Sequence, residues 1–96
     1  MTDAISWEVL NATADDWESL EQVHPAVCRF VAPVSEGIVA SVIARLVRDG
    51  LMEEMSGGVI DPAAIAANPT EFWFRMTPHG REVWEAEAAR FQSEAT

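Results

Sequence analysis

The feature that most constrains the fold is an apolar stripe with helical period that ends at a glycine. Apolar side chains recur at three- and four-residue steps from Ile38 to Val47, a spacing that places them on one helix face. Ser35 precedes the stripe as an N-cap, and Gly50 follows it at the position where a left-handed residue commonly ends a helix. The pattern predicts a helix over 36–49 with one broad face on the core.

Two apolar patterns upstream predict two further helices. The first covers residues 4–13. The second runs over 16–31, with Asp15 as its N-cap and Glu18 three residues later in a capping box. Pro25 lies inside this pattern and removes a backbone donor, so it either kinks the helix or begins a second short helix.

The second half of the chain predicts a β-hairpin and a last helix. Residues 51–55 and 71–77 favour strands. In the second stretch, Phe72, Phe74 and Met76 alternate with Trp73 and Arg75. The connecting segment opens a short helix at Asp61-Pro62, and Thr77 caps a helix over 78–93. We therefore expect one domain over 1–96, mainly α with a small β-hairpin (α+β).

The charge of the chain is strongly acidic but unevenly distributed. Sixteen Asp and Glu stand against six Arg and no Lys, giving −10, a balance that as a whole discourages nucleic acid as a partner. Residues 22–48, however, hold three arginines and one glutamate, whereas 1–21 and 49–96 each sum to −6. The segment with the best-defined helix is the one non-acidic region, so DNA could be bound at one small face of the protein.

Several other classes of protein find no support in the sequence. A single cysteine excludes an internal disulfide framework, no apolar run reaches the length of a membrane span, and a signal-peptide pattern is missing. We therefore expect a cytoplasmic protein. His24 and Cys28 stand four apart, but a zinc site needs three or four ligands. We find no catalytic constellation or cofactor motif, and expect neither an enzyme nor a cofactor.

Two stretches resemble winged helix-turn-helix regulators of the MarR and PadR type. VSEGIVASVIARLVRDGLM over 34–52 is similar to their recognition-helix segment, in which a capping serine, an apolar helix and a charged residue precede Gly-Leu. FRMTPHGREVW over 74–84 is similar to their wing exit, which usually reads Tyr-x-Leu-Thr-x-x-Gly-Arg. The resemblance extends over about residues 16–92. One departure is the long segment 56–70, which carries no Arg or Lys, unlike a wing that grips DNA.

The resemblance implies a winged helix with the order α-α-α-β-(long loop)-β-α, DNA binding in transcription regulation, and a homodimer formed through the first and last helices. Helix 36–49 is then the recognition helix. Its outward positions include small residues that would permit close approach to DNA, namely Gly37, Ala40 and Ala44. The predicted DNA-facing residues are Gly37, Ser41, Arg45 and Arg48, with Arg29 from the preceding helix and Arg75 from the wing.

Three of the polar side chains on the predicted recognition helix have distinct expected roles. Arg45 is suited to a guanine edge, Ser41 to a base or phosphate, and Arg48 to phosphate. An alternative interpretation is that Arg45 and Arg48 are solvated charges that favour the helix C-terminus.

A rival hypothesis is an acidic winged-helix module that binds a protein instead of DNA, or that mimics DNA. Its candidate contact is Trp73, which strand alternation places with Arg75 on the face opposite Phe72, Phe74 and Met76. There Trp73 would either meet a partner or cover the inserted segment 59–67.

Overall fold

The computed structural model describes residues 3–58 and 61–94, with side chains as far as Arg90. This part of the chain is mainly helical with a two-stranded antiparallel sheet, which confirms the predicted α+β class. In chain order the elements are α1 (Ala4–Ala12), α2 (Leu20–Phe30), α3 (Glu36–Arg48), β1 (Met52–Glu54), α4 (Pro62–Ala67), β2 (Phe74–Met76) and α5 (Pro78–Glu94).

The core lies where α1, α2 and α3 pack on one another. Phe74 of β2 and Ile65 of α4 complete it, both without solvent exposure. Each such side chain contributes roughly 1.5–3 kcal/mol through removal of its apolar surface from water. The helical members that are fully buried are Val9, Leu10, Val23, Val27, Val39, Ala40 and Ile43.

Helix α2 begins later than the sequence predicts. Its N-cap is Ser19, whose backbone N–H donates to Gln22 Oε1 at 2.9 Å, so the prediction of Asp15 and Glu18 as the capping box is wrong. The reason is a distant contact, since Glu18 and Phe74 form an antiparallel bridge with reciprocal 2.8 Å hydrogen bonds. That bridge holds the backbone of Glu18 extended and postpones the helix.

Pro25 lies inside α2 without dividing it. The helix runs without a break over Leu20–Phe30, so the alternative in which Pro25 begins a separate helix is wrong. The proline is exposed, which keeps its ring away from the core.

The two strands place the Glu53–Arg75 ion pair on one face of a short sheet and the buried side chains on the other. The register pairs Met52 with Met76, Glu53 with Arg75, and Glu54 with Phe74. Glu54 shares the buried face, where its carboxylate accepts hydrogen bonds from the backbone N–H of Ser56 at 2.7 Å and from the Ser56 hydroxyl. Each strand spans three residues, fewer than the sequence predicts.

A close backbone contact joins the sheet to α5, and the predicted cap residue Thr77 is part of it. The Thr77 hydroxyl donates to Gly50 O at 2.7 Å and accepts from Gly80 N–H at 3.0 Å. Gly50 has φ +80°, the left-handed conformation expected after α3. A Cβ at Gly80 would lie 1.9 Å from Leu51 O and 2.9 Å from Met76 Cγ, so only glycine permits this approach.

Helices α1 and α5 meet through two tryptophans and a polar chain. The Trp7 and Trp84 rings stack with centroids 6.3 Å apart, and Trp7 Nε1 donates to Trp84 O at 3.2 Å. Trp84 Nε1 donates to Asn11 Oδ1 at 3.2 Å, and Asn11 Nδ2 donates to Glu8 Oε2 at 3.3 Å. Glu8 is only 6% exposed, and this burial raises the pKa of its carboxyl even though the Asn11 hydrogen bond lowers it.

We expect Gly80→Ala and Gly37→Ala to shift stability in opposite directions. At Gly80 the added methyl collides with backbone, and such overpacking costs about 1–3 kcal/mol or more. At Gly37, an exposed helix position where the nearest atom is Ser35 Oγ at 3.8 Å, alanine should stabilise the helix by about 0.5–1 kcal/mol. Urea unfolding monitored by circular dichroism measures both, and two shifts of the same sign would contradict the packing at Gly80.

We expect Glu8→Gln to raise the free energy of unfolding at neutral pH. The folded pKa of Glu8 lies above its unfolded value, so its ionised form opposes folding above the folded pKa and that penalty vanishes below the unfolded pKa. The gain from the substitution should therefore shrink as the pH falls through the folded pKa. Urea titrations across this range test it, with Glu85→Gln on exposed α5 surface as the control; a gain independent of pH would refute it.

Candidate nucleic-acid interface

One side of α3 faces solvent and forms the candidate interface. Its opposite side supplies Val39 and Ile43 to the core, so the 3.6-residue period leaves a continuous exposed row. No carboxylate occurs in this row, although the exposed Glu36 lies beside it in the first turn of α3. We call it the α3 stripe, and its members are Gly37, Ile38, Ser41, Arg45 and Arg48, all of them exposed.

Two of the positions predicted to face outward lie in the core instead. Ala40 has no exposed surface and Ala44 is 8% exposed, so their expected role in admitting DNA is wrong. The inserted helix α4 packs along α3 and widens the buried face beyond what the apolar pattern alone indicates. Among the three small residues, only Gly37 remains on the exposed side.

Arg45 lies against the start of α1. Its Nη2 donates to the hydroxyl of the buried Ser6 and is 3.7 Å from Asp3 Oδ2. Partial burial raises the pKa of Asp3, but the hydrogen bonds from Ser6 and the charge of Arg45 outweigh it and hold this pKa below its ordinary value. Asp3 is therefore ionised at neutral pH, and the predicted base-reading arginine already has an anionic partner.

Arg48 and Arg29 are the more accessible cations of this region. Arg48 Nε is 3.7 Å from Asp49 Oδ1, yet its side chain remains 68% exposed. Arg29 lies at the exposed end of α2, with its guanidinium 5.2 Å from the Phe30 ring centroid. Such surface contacts hold a side chain weakly, so both arginines can turn towards a phosphate.

Arg75 is engaged on the sheet. Its Nε donates to Glu53 Oε1 at 2.7 Å, and its guanidinium lies 4.6 Å from the centroid of the Trp17 ring. The Trp17 contact was not predictable from the sequence, because 58 positions separate the two residues and the extended segment around Glu18 brings them together. The structure thus places Arg75 against two partners of its own chain.

Trp73 immediately precedes β2 and is half-buried. Its backbone carbonyl accepts from Met55 N–H at 2.9 Å. Of the apolar residues that it was expected to cover, Ile65 is fully buried, while Val59 and Ile60 lie outside the described residues.

An open cleft of about 520 Å³ lies between the α1–α2 connection, the sheet and the start of α5. Both of its arginines are engaged, since Arg81 Nη2 donates to Ala14 O at 2.6 Å and Arg75 pairs with Glu53. The other charged residues in its wall are Asp15 and Asp16. The cleft is therefore acidic, in contrast to the α3 stripe.

His24 and Cys28 tie α2 to the turn that precedes α3. His24 Nε2 lies 2.7 Å from Val34 O, and Cys28 Sγ lies 3.3 Å from His24 Nε2. Within the described part of the chain, no three His, Cys, Asp or Glu side chains cluster in a way that could hold a metal ion.

Comparison with known proteins gives no relative. No family model, no curated protein and no solved structure matches the chain. Across residues 3–58 and 61–94, none of the helices combines the length and the hydrophobicity that crossing a bilayer requires.

Proposed function

We propose that this chain is a winged helix-turn-helix domain that binds duplex DNA as a cytoplasmic, transcriptional regulator-like protein, with α3 as its recognition helix. Helices α2 and α3 and the five residues between them supply the helix-turn-helix, and β1 and β2 supply the wing. The bridge between Glu18 and Phe74 adds a third extended segment beside that wing. This order supports the resemblance to MarR- and PadR-type regulators.

The observation that carries the proposal is the α3 stripe itself. On a chain of net charge −10, it is an exposed helix face with two arginines, a serine, a glycine, an isoleucine and no carboxylate. A B-DNA major groove admits one such helix, whose side chains then reach base edges. The acidic charges outside residues 22–48 repel phosphate, so they favour approach through this face alone.

A homodimer would give this small interface the affinity that one copy lacks. One copy offers at most about three phosphate contacts, from Arg29, from Arg48 and from Arg45 when it is released from Asp3. Non-specific binding with so few contacts is weak at physiological salt. We propose pairing through α1 and α5, which would present two α3 stripes. Half-sites about 34–36 Å apart, one helical turn of DNA, would then be recognised.

We expect Arg48→Gln to weaken binding to every duplex and to lower its salt dependence. Losing one phosphate contact reduces the slope of log affinity against log salt by about 0.9 for each protein copy bound. Fluorescence anisotropy with a labelled 24-bp duplex between low and physiological salt measures the slope. Arg48→Lys keeps the charge and should keep the slope; equal slopes for wild type and Arg48→Gln would remove Arg48 from the interface.

We expect Asp3→Asn to tighten binding by releasing Arg45. Asparagine still caps α1 by accepting from Ser6 N–H, as Asp3 does at 2.7 Å, but it leaves Arg45 without its anionic partner. An exposed pair of this kind is worth about 0.2–1 kcal/mol, so the gain should reach at most about fivefold. Glu85→Gln makes the same change in net charge on exposed α5 surface, and an equal gain from it would show that Arg45 is not specifically involved.

A second candidate function is binding of a protein through the winged-helix scaffold, including DNA mimicry. The observation in its favour is that three proposed DNA-facing arginines already have carboxylate partners, in the pairs Arg45–Asp3, Arg48–Asp49 and Arg75–Glu53. The half-buried Trp73 and the acidic surface would then meet a basic or apolar partner. Absence of any duplex binding at low salt, where phosphate contacts are strongest, would favour this function over DNA binding.

A further inference from the structure

Ile38 is the one apolar side chain of the α3 stripe, whose other members are polar or small. It is 48% exposed and lies in the first turn of α3. Its neighbours in the row, Gly37 and Ser41, offer little to a base edge, because Gly37 has no side chain and the Ser41 hydroxyl donates to Gly37 O at 3.0 Å. The first two turns of the stripe thus present methyl groups and open space rather than hydrogen-bond donors.

The glycine beside Ile38 has no structural reason to be a glycine. Gly37 does not have the positive φ seen at Gly50 and Gly57, and a Cβ there would meet only Ser35 Oγ, at 3.8 Å. A glycine inside a helix costs about 0.5–1 kcal/mol relative to alanine. The fold therefore tolerates a destabilising residue whose effect is to clear space next to the Ile38 side chain.

Arg45, the expected reader of guanine, is directed elsewhere. It lies in the last turn of α3, where its guanidinium contacts Ser6 and Asp3 of the α1 end. In the first two turns of the α3 stripe, the side chain that remains for base contact is the isoleucine. Of the major-groove groups that bases present, the one that an apolar side chain recognises is the C5 methyl of thymine.

We propose that Ile38 reads thymine, so that the half-site contains an A·T pair whose C5 methyl packs on the Ile38 side chain, with Gly37 allowing the groove wall to approach. This inference rests on the proposed DNA-binding function. Specificity then comes from apolar contact in the first two turns of α3, while Arg29 and Arg48 contact phosphates.

The test compares duplexes that differ only in the thymine methyl. Labelled 24-bp alternating d(A-T) and d(A-U) duplexes carry the same phosphate charge and the same hydrogen-bonding groups, but uracil lacks the C5 methyl. Wild-type protein at low salt should bind the thymine duplex about fourfold more tightly per methyl buried, hence up to about sixteenfold for a dimer. Ile38→Ala should bind both duplexes equally. Its exposed site predicts an unchanged fold, which the circular dichroism spectrum and thermal midpoint verify.

Phe30→Ala is the matched control, because Phe30 is a 65% exposed apolar residue outside the α3 stripe. It should leave the thymine-to-uracil ratio at the wild-type value. Equal binding of both duplexes by wild type overturns the inference while leaving DNA binding intact. A preference that survives in Ile38→Ala overturns the assignment to Ile38. If wild type binds neither duplex at low salt, the proposed function itself fails and the inference falls with it.

Discussion

The rest of the structure depends on the contact between Gly80 and the backbone of Leu51. The absence of a side chain at Gly80 lets the first turn of α5 lie against the chain just after α3 ends. Thr77 strengthens this contact, since its hydroxyl bonds both Gly50 O and Gly80 N–H. Three elements, α3, β1 and α5, are therefore held at one point, and α3 is fixed at its C-terminal end relative to the sheet.

Polar contacts hold α3 at both of its ends. In its last turn, Arg45 links the helix to the N-terminus of α1 through Ser6 and Asp3. The Ser35 hydroxyl caps the helix by accepting from Ile38 N–H at 3.2 Å. Because the core face packs on α1 and α2, the only direction in which α3 can offer side chains is outward along the α3 stripe. Rigid support of this kind is what a recognition surface requires.

Local chemistry in the sequence was sufficient for α3, for the Thr77 cap and for the left-handed Gly50, because each depends on residues a few positions apart. It failed where a distant segment intervened. Asp15 is a plausible cap until the bridge to Phe74, 56 residues beyond Glu18, holds the backbone extended. Ala40 and Ala44 are outward in the sequence pattern but buried in the structure, where α4 packs on the same helix. The partners of Arg45 were likewise not predictable, since Asp3 and Ser6 lie about forty positions upstream.

These distant contacts also change how the acidity of the chain is understood. Counted by segment, the arginines of residues 22–48 form a basic region in an acidic chain. In three dimensions Asp3 and Asp49 lie beside two of those arginines, so the α3 stripe is closer to neutral than the segment count indicates. A near-neutral face attracts phosphate weakly and cannot derive specificity from charge alone. Discrimination must then come from shape and apolar contact, which is what Ile38, exposed beside the open space at Gly37, is placed to supply.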